Sequence, residues 1–130
     1  MKRILLIMII ALGAIASGKA QQKALETARI KTPNALCEAC KPRIENYLKR
    51  IDGVTYVNVN YRKGETQVKY LTNRTNIEEI KTAIANLGYD ADNVTANEES
   101  YKRLPKTCKK AEDGGGHPKP RQQSAPAPEQ

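Results

Sequence analysis

Cys37 and Cys40 stand in the run Cys37-Glu38-Ala39-Cys40, and a third cysteine, Cys108, stands far downstream in Lys106-Thr107-Cys108-Lys109-Lys110. Thiolates either hold soft metal ions or exchange with disulfides, and a Cys-x-x-Cys pair suits both chemistries. Pro42 narrows the geometry. It lacks an N–H, so it is tolerated only near the start of a helix, where that donor has no partner. The helix is therefore expected to start at about Ala39, with Cys40 in its first turn and Cys37 in the loop before it. Both sulfurs can then face one ion. The helix N-terminus, with Lys41 and Arg43 nearby, is expected to favour thiolate. Two soft ligands without an accompanying His, Asp or Glu cluster suit a soft, low-coordinate ion such as Cu(I), since a closed tetrahedral zinc site takes four ligands.

Cys108 is a candidate third thiolate; the other readings are a free tail thiol or an intermolecular disulfide. His117 lies between Gly116 and Pro118, where an auxiliary ligand competes with a plain solvated tail. No paired carboxylates, Ser-His-Asp set or phosphate loop is present. A single His leaves acid–base catalysis few candidates, and no enzymatic activity is expected.

The elements that must position the cysteines follow from periodicity. Leu25 to Lys31 reads as a strand closed by Thr32-Pro33-Asn34. Cys40, Ile44, Tyr47, Leu48 and Ile51 share one face of an amphipathic helix that Asp52-Gly53 ends. Thr55, Val57, Val59 and Tyr61 alternate with Tyr56, Asn58 and Asn60, as in a strand with one buried face. Arg62-Lys63-Gly64-Glu65 turns the chain into a second hairpin strand, Thr66 to Leu71. Thr75-Asn76-Ile77-Glu78 reads as a capping box for a helix striped by Ile77, Ile80, Ile84 and Leu87 and ended by Gly88. Asp90 to Ala96 is expected to supply a last short strand around Val94. This order predicts an α+β, ferredoxin-like βαββαβ sandwich, a four-stranded antiparallel sheet with two helices on one face. With no Phe and no Trp, its core must be Ile, Val, Leu and Tyr.

Outside residues 24–96 the composition changes. Lys2 and Arg3 precede an apolar run from Ile4 to Ala16, too short to span a bilayer but suited to the core of a signal peptide. Residues 1–20 are read as that peptide, with cleavage after Ala20 preferred over Ala16, and a periplasmic or secreted location follows. Residues 97–110 form an extension of ambiguous structure, one reading being a short polar helix ending near Pro105. Residues 111–130, rich in Gly, Pro and Gln, are expected to be disordered. The 130 residues carry a net charge of +8, which invites a polyanion partner. Its distribution withdraws the invitation. Residues 21–101 hold 12 basic against 11 acidic residues, the excess lying in the leader and after residue 101. No nucleic-acid partner and no stable membrane insertion are expected, and the chain is read as a monomer.

Residues 25–96 resemble the heavy-metal-associated domain of copper chaperones, metal-pumping P-type ATPases and periplasmic mercury-binding proteins. That family's loop, G-M-x-C-x-x-C, corresponds to Asn34-Ala35-Leu36-Cys37-Glu38-Ala39-Cys40. Gly53-Val54 and Leu87-Gly88-Tyr89 also match its pattern. Asn34 and Ala35 depart from it, replacing the family's Gly and a packing Met. The resemblance implies that Cys37 and Cys40 are metal ligands and that Tyr89 packs near the metal loop. The resulting reading is an exported soft-metal protein or metallochaperone. Its preferred ion is Cu(I), then Hg(II), with Zn(II) or Cd(II) behind. It passes the ion by ligand exchange, Cys37 moving first, to a metal transporter or another metal-binding domain. The rival is a thiol–disulfide redox protein using the same pair.

Overall fold

The computed structural model describes residues 24–116. The leader and His117 lie outside the described residues, as does the tail beyond them. Three strands, β1 (Leu25–Lys31), β2 (Val54–Asn60) and β3 (Glu65–Leu71), form one antiparallel sheet in the order β1-β3-β2. Helix α1 (Cys40–Leu48) joins β1 to β2, and α2 (Ile77–Asn86) follows β3. A short helix α3 (Glu98–Lys102) and two 3-10 turns, Lys106–Cys108 and Ala111–Asp113, complete the described chain.

Alternation and helical spacing explain the core. Thr66, Val68 and Tyr70 of β3 point inward with Val57 and Val59 of β2 and Ile30 of β1, and meet Ile44 and Leu48 of α1 and Ile80 and Ile84 of α2. The Thr32 and Thr66 hydroxyls, buried among these, satisfy one another at 3.0 Å. The start of α2 differs slightly from the expected capping box. Asn76 is the N-cap, its Oδ1 accepting from the Glu79 N–H at 2.9 Å, while Thr75 donates its hydroxyl to the Glu79 carboxylate at 2.9 Å.

The expected fourth strand is corrected. Residues 90–96 form no strand of the sheet; Ala91 and Val94 instead bond to each other, N–H to O at 2.9 Å in both directions, around Asp92 at φ +50°. Asp and Asn tolerate this left-handed backbone and make local turns, and Val94 alone supplies apolar strand character against them. The turn still docks where a fourth strand would lie. The Asp92 N–H donates to the Lys31 carbonyl at 2.9 Å, and the Lys31 N–H donates to Asp92 Oδ1 at 2.7 Å. The chain is thus held at the end of β1 that leads into the cysteine loop, instead of running away from it.

From there the extension packs back onto the domain. The Asn97 N–H bonds to the Ala85 carbonyl at 2.8 Å, and α3 passes directly over Gly88. Gly88 has φ +99°, and a Cβ there would lie 2.9 Å from the Tyr101 nitrogen, so two constraints require glycine. Leu104 is buried beyond α3. Part of the segment expected to be disordered contributes as well. Tyr101 donates its hydroxyl to Asp113 at 2.6 Å and accepts from the Lys110 N–H at 2.9 Å, while the Gly116 N–H returns to the Lys106 carbonyl at 2.8 Å. Among the described residues, no helix is long and apolar enough to cross a membrane.

Candidate metal centre

Cys40 is the first residue of α1, with Ala39 as its N-cap, and Pro42 sits in the first turn as its missing donor requires. The loop before it is a turn in its own right: the Cys40 N–H donates to the Cys37 carbonyl at 3.1 Å and the Lys41 N–H to Glu38 at 3.2 Å. The turn brings the side chains of the Cys37–Cys40 pair to the same place. The 3-10 turn Lys106–Cys108 brings the third, its last N–H donating to the Pro105 carbonyl at 2.8 Å. All three Sγ atoms lie within 4.8 Å of one another, and Cys37 and Cys108 are 3.6 Å apart. Cys40 and Cys108 are fully buried, and Cys37 is half-buried.

Burial changes the protonation expected at the helix start. It pushes the Cys37 and Cys40 thiols above their ordinary 9.0, and the neighbouring thiols add to the effect at Cys40. The gain from the helix end is therefore outweighed by desolvation, and the metal-free pair is held as thiols. Tyr89 closes the far side. Its ring is fully buried, its hydroxyl has no hydrogen-bond partner, and burial beside Cys40 and Cys108 pushes its pKa up.

Asn34 performs a task that the sequence did not disclose. Buried in the cysteine loop, it accepts the Asp90 N–H at 2.8 Å and donates to the Gly88 carbonyl at 3.4 Å, so it grips the backbone on both sides of Tyr89. The available signal was a polar residue where the resembled family has glycine. Asp90 in turn accepts from the Ala96 N–H at 2.8 Å and lies 3.8 Å from Lys110, tying the same segment to the extension. Ala35, at the position of the family Met, is wholly buried.

The family profile described as heavy-metal-associated domain matches residues 29–90. The copper-exporting P-type ATPase of Staphylococcus aureus (strain Newman) is 34% identical over 80 residues, 62% of this chain and 10% of that protein. The matched segment thus spans about a tenth of the length of such curated relatives. The N-terminal domain of a potential copper-translocating P-type ATPase from Bacillus subtilis, solved in the Cu(I)-loaded state, is 30% identical with a TM-score of 0.50, covering 53% of this chain and 86% of that one. Oxidised MerP from Ralstonia metallidurans CH34 has a TM-score of 0.51 over 53% of this chain and 96% of that one. At 23% identity it is a likeness of fold alone.

Proposed function

Because the chain belongs to the heavy-metal-associated domain family, we propose that it is an exported carrier of a soft metal ion, binding Cu(I) through Cys37 and Cys40 and passing it on by thiolate exchange. The observation that carries this reading is the convergence of cysteine sulfurs in a pocket where, among the described residues, the grouped ligands are thiols alone. Such a donor set favours Cu(I) over harder ions. The copper-related names of the relatives at 30% identity or more support the same ion. Hg(II) ranks second on the softness of the donors, and Zn(II) or Cd(II) last, for want of a fourth ligand. Export rests on the basic and apolar leader of residues 1–20.

Exchange is ordered by exposure. Cys37 is the more accessible of the pair and opens first to an incoming thiolate, while Cys40 holds the ion from the helix. The receiver is a transporter's metal-binding domain or another domain of this kind. Anaerobic titration of the reduced protein tests the proposal. One Cu(I) per chain is expected, with binding abolished when the thiols are alkylated beforehand. Absence of a 1:1 complex would end the metal reading.

A further inference from the structure

Resting on that reading, we propose that Cys108 is a built-in third ligand: the extension closes the ion into a three-thiolate site and must lift before the ion can leave. Three observations converge on this. The first is distance. With metal–sulfur bonds of ~2.3 Å, a planar three-coordinate site has sulfur–sulfur edges of about 4 Å. The three Sγ atoms already lie within 4.8 Å of one another, with one edge at 3.6 Å. An ion at their centre needs only small side-chain adjustments.

The second is the hydroxyl of Tyr89, buried where its neighbours are the Cys40 and Cys108 thiols and no properly formed hydrogen bond satisfies it. A neutral thiol is a weak acceptor, whereas a metal-bound thiolate carries the negative charge that an O–H donor seeks. The orphaned donor is thus placed for the loaded site, as outer-shell partners of metal ligands are. The third is the way in which the extension is held. It buries Leu104 and Cys108 and lays Tyr101 against the core, and its polar ties to the domain are few, the Asn97 N–H to the Ala85 carbonyl and Lys110 at 3.8 Å from Asp90. A segment with three apolar anchors and few polar ties to the domain is the kind that opens without unfolding it.

Cys108 then occupies the coordination position that a partner's thiolate would take during exchange. Release is a ligand substitution with no change in oxidation state. The partner's thiolate, its proton given up to water, donates a lone pair to the ion, and the bond from the ion to Cys108 breaks. The Cys108 thiolate leaves with its pair and takes a proton from water. Of the Cys37–Cys40 pair, the more exposed Cys37 follows.

X-ray absorption on the full chain loaded with one Cu(I) reads the coordination number directly, without depending on how a variant folds. Three sulfurs are expected in the wild type and two in Cys108→Ser. Transfer of Cu(I) to a chromophoric chelator is expected to be at least tenfold faster from that variant, with far-UV circular dichroism confirming its fold. A wild-type site of two sulfurs, or equal transfer rates from a folded variant, overturns the third ligand and leaves the two-cysteine carrier standing. If the wild type binds no Cu(I), both readings fall together.

Discussion

Cys40 and Cys108 are equally buried, yet they are held in opposite ways. Cys40 begins a helix whose next turns place Ile44 and Leu48 in the core, so its position is fixed by the packing of the whole domain. Cys108 ends a 3-10 turn on a short extension that reaches the core through Leu104, Cys108 and the flank of Tyr101 alone, most of its backbone bonds being internal. One sulfur belongs to the scaffold and the other to a strap laid across it. Coordination is shared between them, but stability is not, which allows the site to open while the domain stays folded.

Removing the scaffold ligands should have the largest effect. Cys37→Ser combined with Cys40→Ser is expected to abolish Cu(I) binding in competition titrations, a loss well beyond the ~10–100-fold typical of a missing outer-shell partner. Truncating the scaffold core comes next. Ile84→Ala should cost about 2–5 kcal/mol in urea unfolding, whereas Leu104→Ala, in the strap, should lower global stability less and chiefly speed labelling of Cys108 by a thiol reagent. Equal losses of global stability from the two would erase the distinction.

Gly88→Ala attacks the seat of the strap. The strained φ and the close Tyr101 backbone predict a cost of about 1–3 kcal/mol, together with faster Cys108 labelling. The metal-free protein should also weaken in alkali. Cys37 and Cys40 stay protonated in the folded state above their ordinary 9.0, while the unfolded chain ionises there. Their contribution is therefore fully present below pH 9 and drains away as the pH rises past it, by up to ~1.4 kcal/mol per unit for the buried Cys40 thiol and by less for the partly exposed Cys37. Thermal melts between pH 7 and 11 would show it, and Cys40→Ala should flatten the decline. The smallest effect is expected from Asn34→Gly, which removes the grip on Gly88 and Asp90 at a cost of about 0.5–1.5 kcal/mol.

The scaffold was legible in the residues because its signals are local and repeated. The helical spacing from Cys40 to Leu48, the alternation in β2 and the Gly64 turn all describe neighbours in the chain, and Pro42 marked the first turn of α1. Of the strap, the sequence offered Cys108 as a candidate ligand and a short helix before Pro105, but not its seat, because nothing periodic links Cys108 to Cys37 across 71 positions. Val94 suggested a strand, but the mutual bonds of Ala91 and Val94 around Asp92 were stronger than one β-branched residue. Thiolate was inferred from a helix end and nearby Lys41 and Arg43, without the burial that only the assembled core reveals. Asn34 looked like a loop substitution, and its two backbone partners lie more than fifty residues away.

The Ala91–Val94 turn also has an effect on the edge of the sheet. Among the described residues, β1 is an edge strand, met by that turn only at Lys31. A bare edge is a template on which a second chain can add, the first step towards aggregation. Here the strand carries exposed Glu26 and Arg29 and ends on Lys31, and Arg29 reaches to 3.7 Å from Glu65 on the neighbouring strand. Like edges that carry such charges align poorly and stay hydrated. The turn that brings the third sulfur home thus leaves the colloidal stability of the protein in the keeping of three exposed charges.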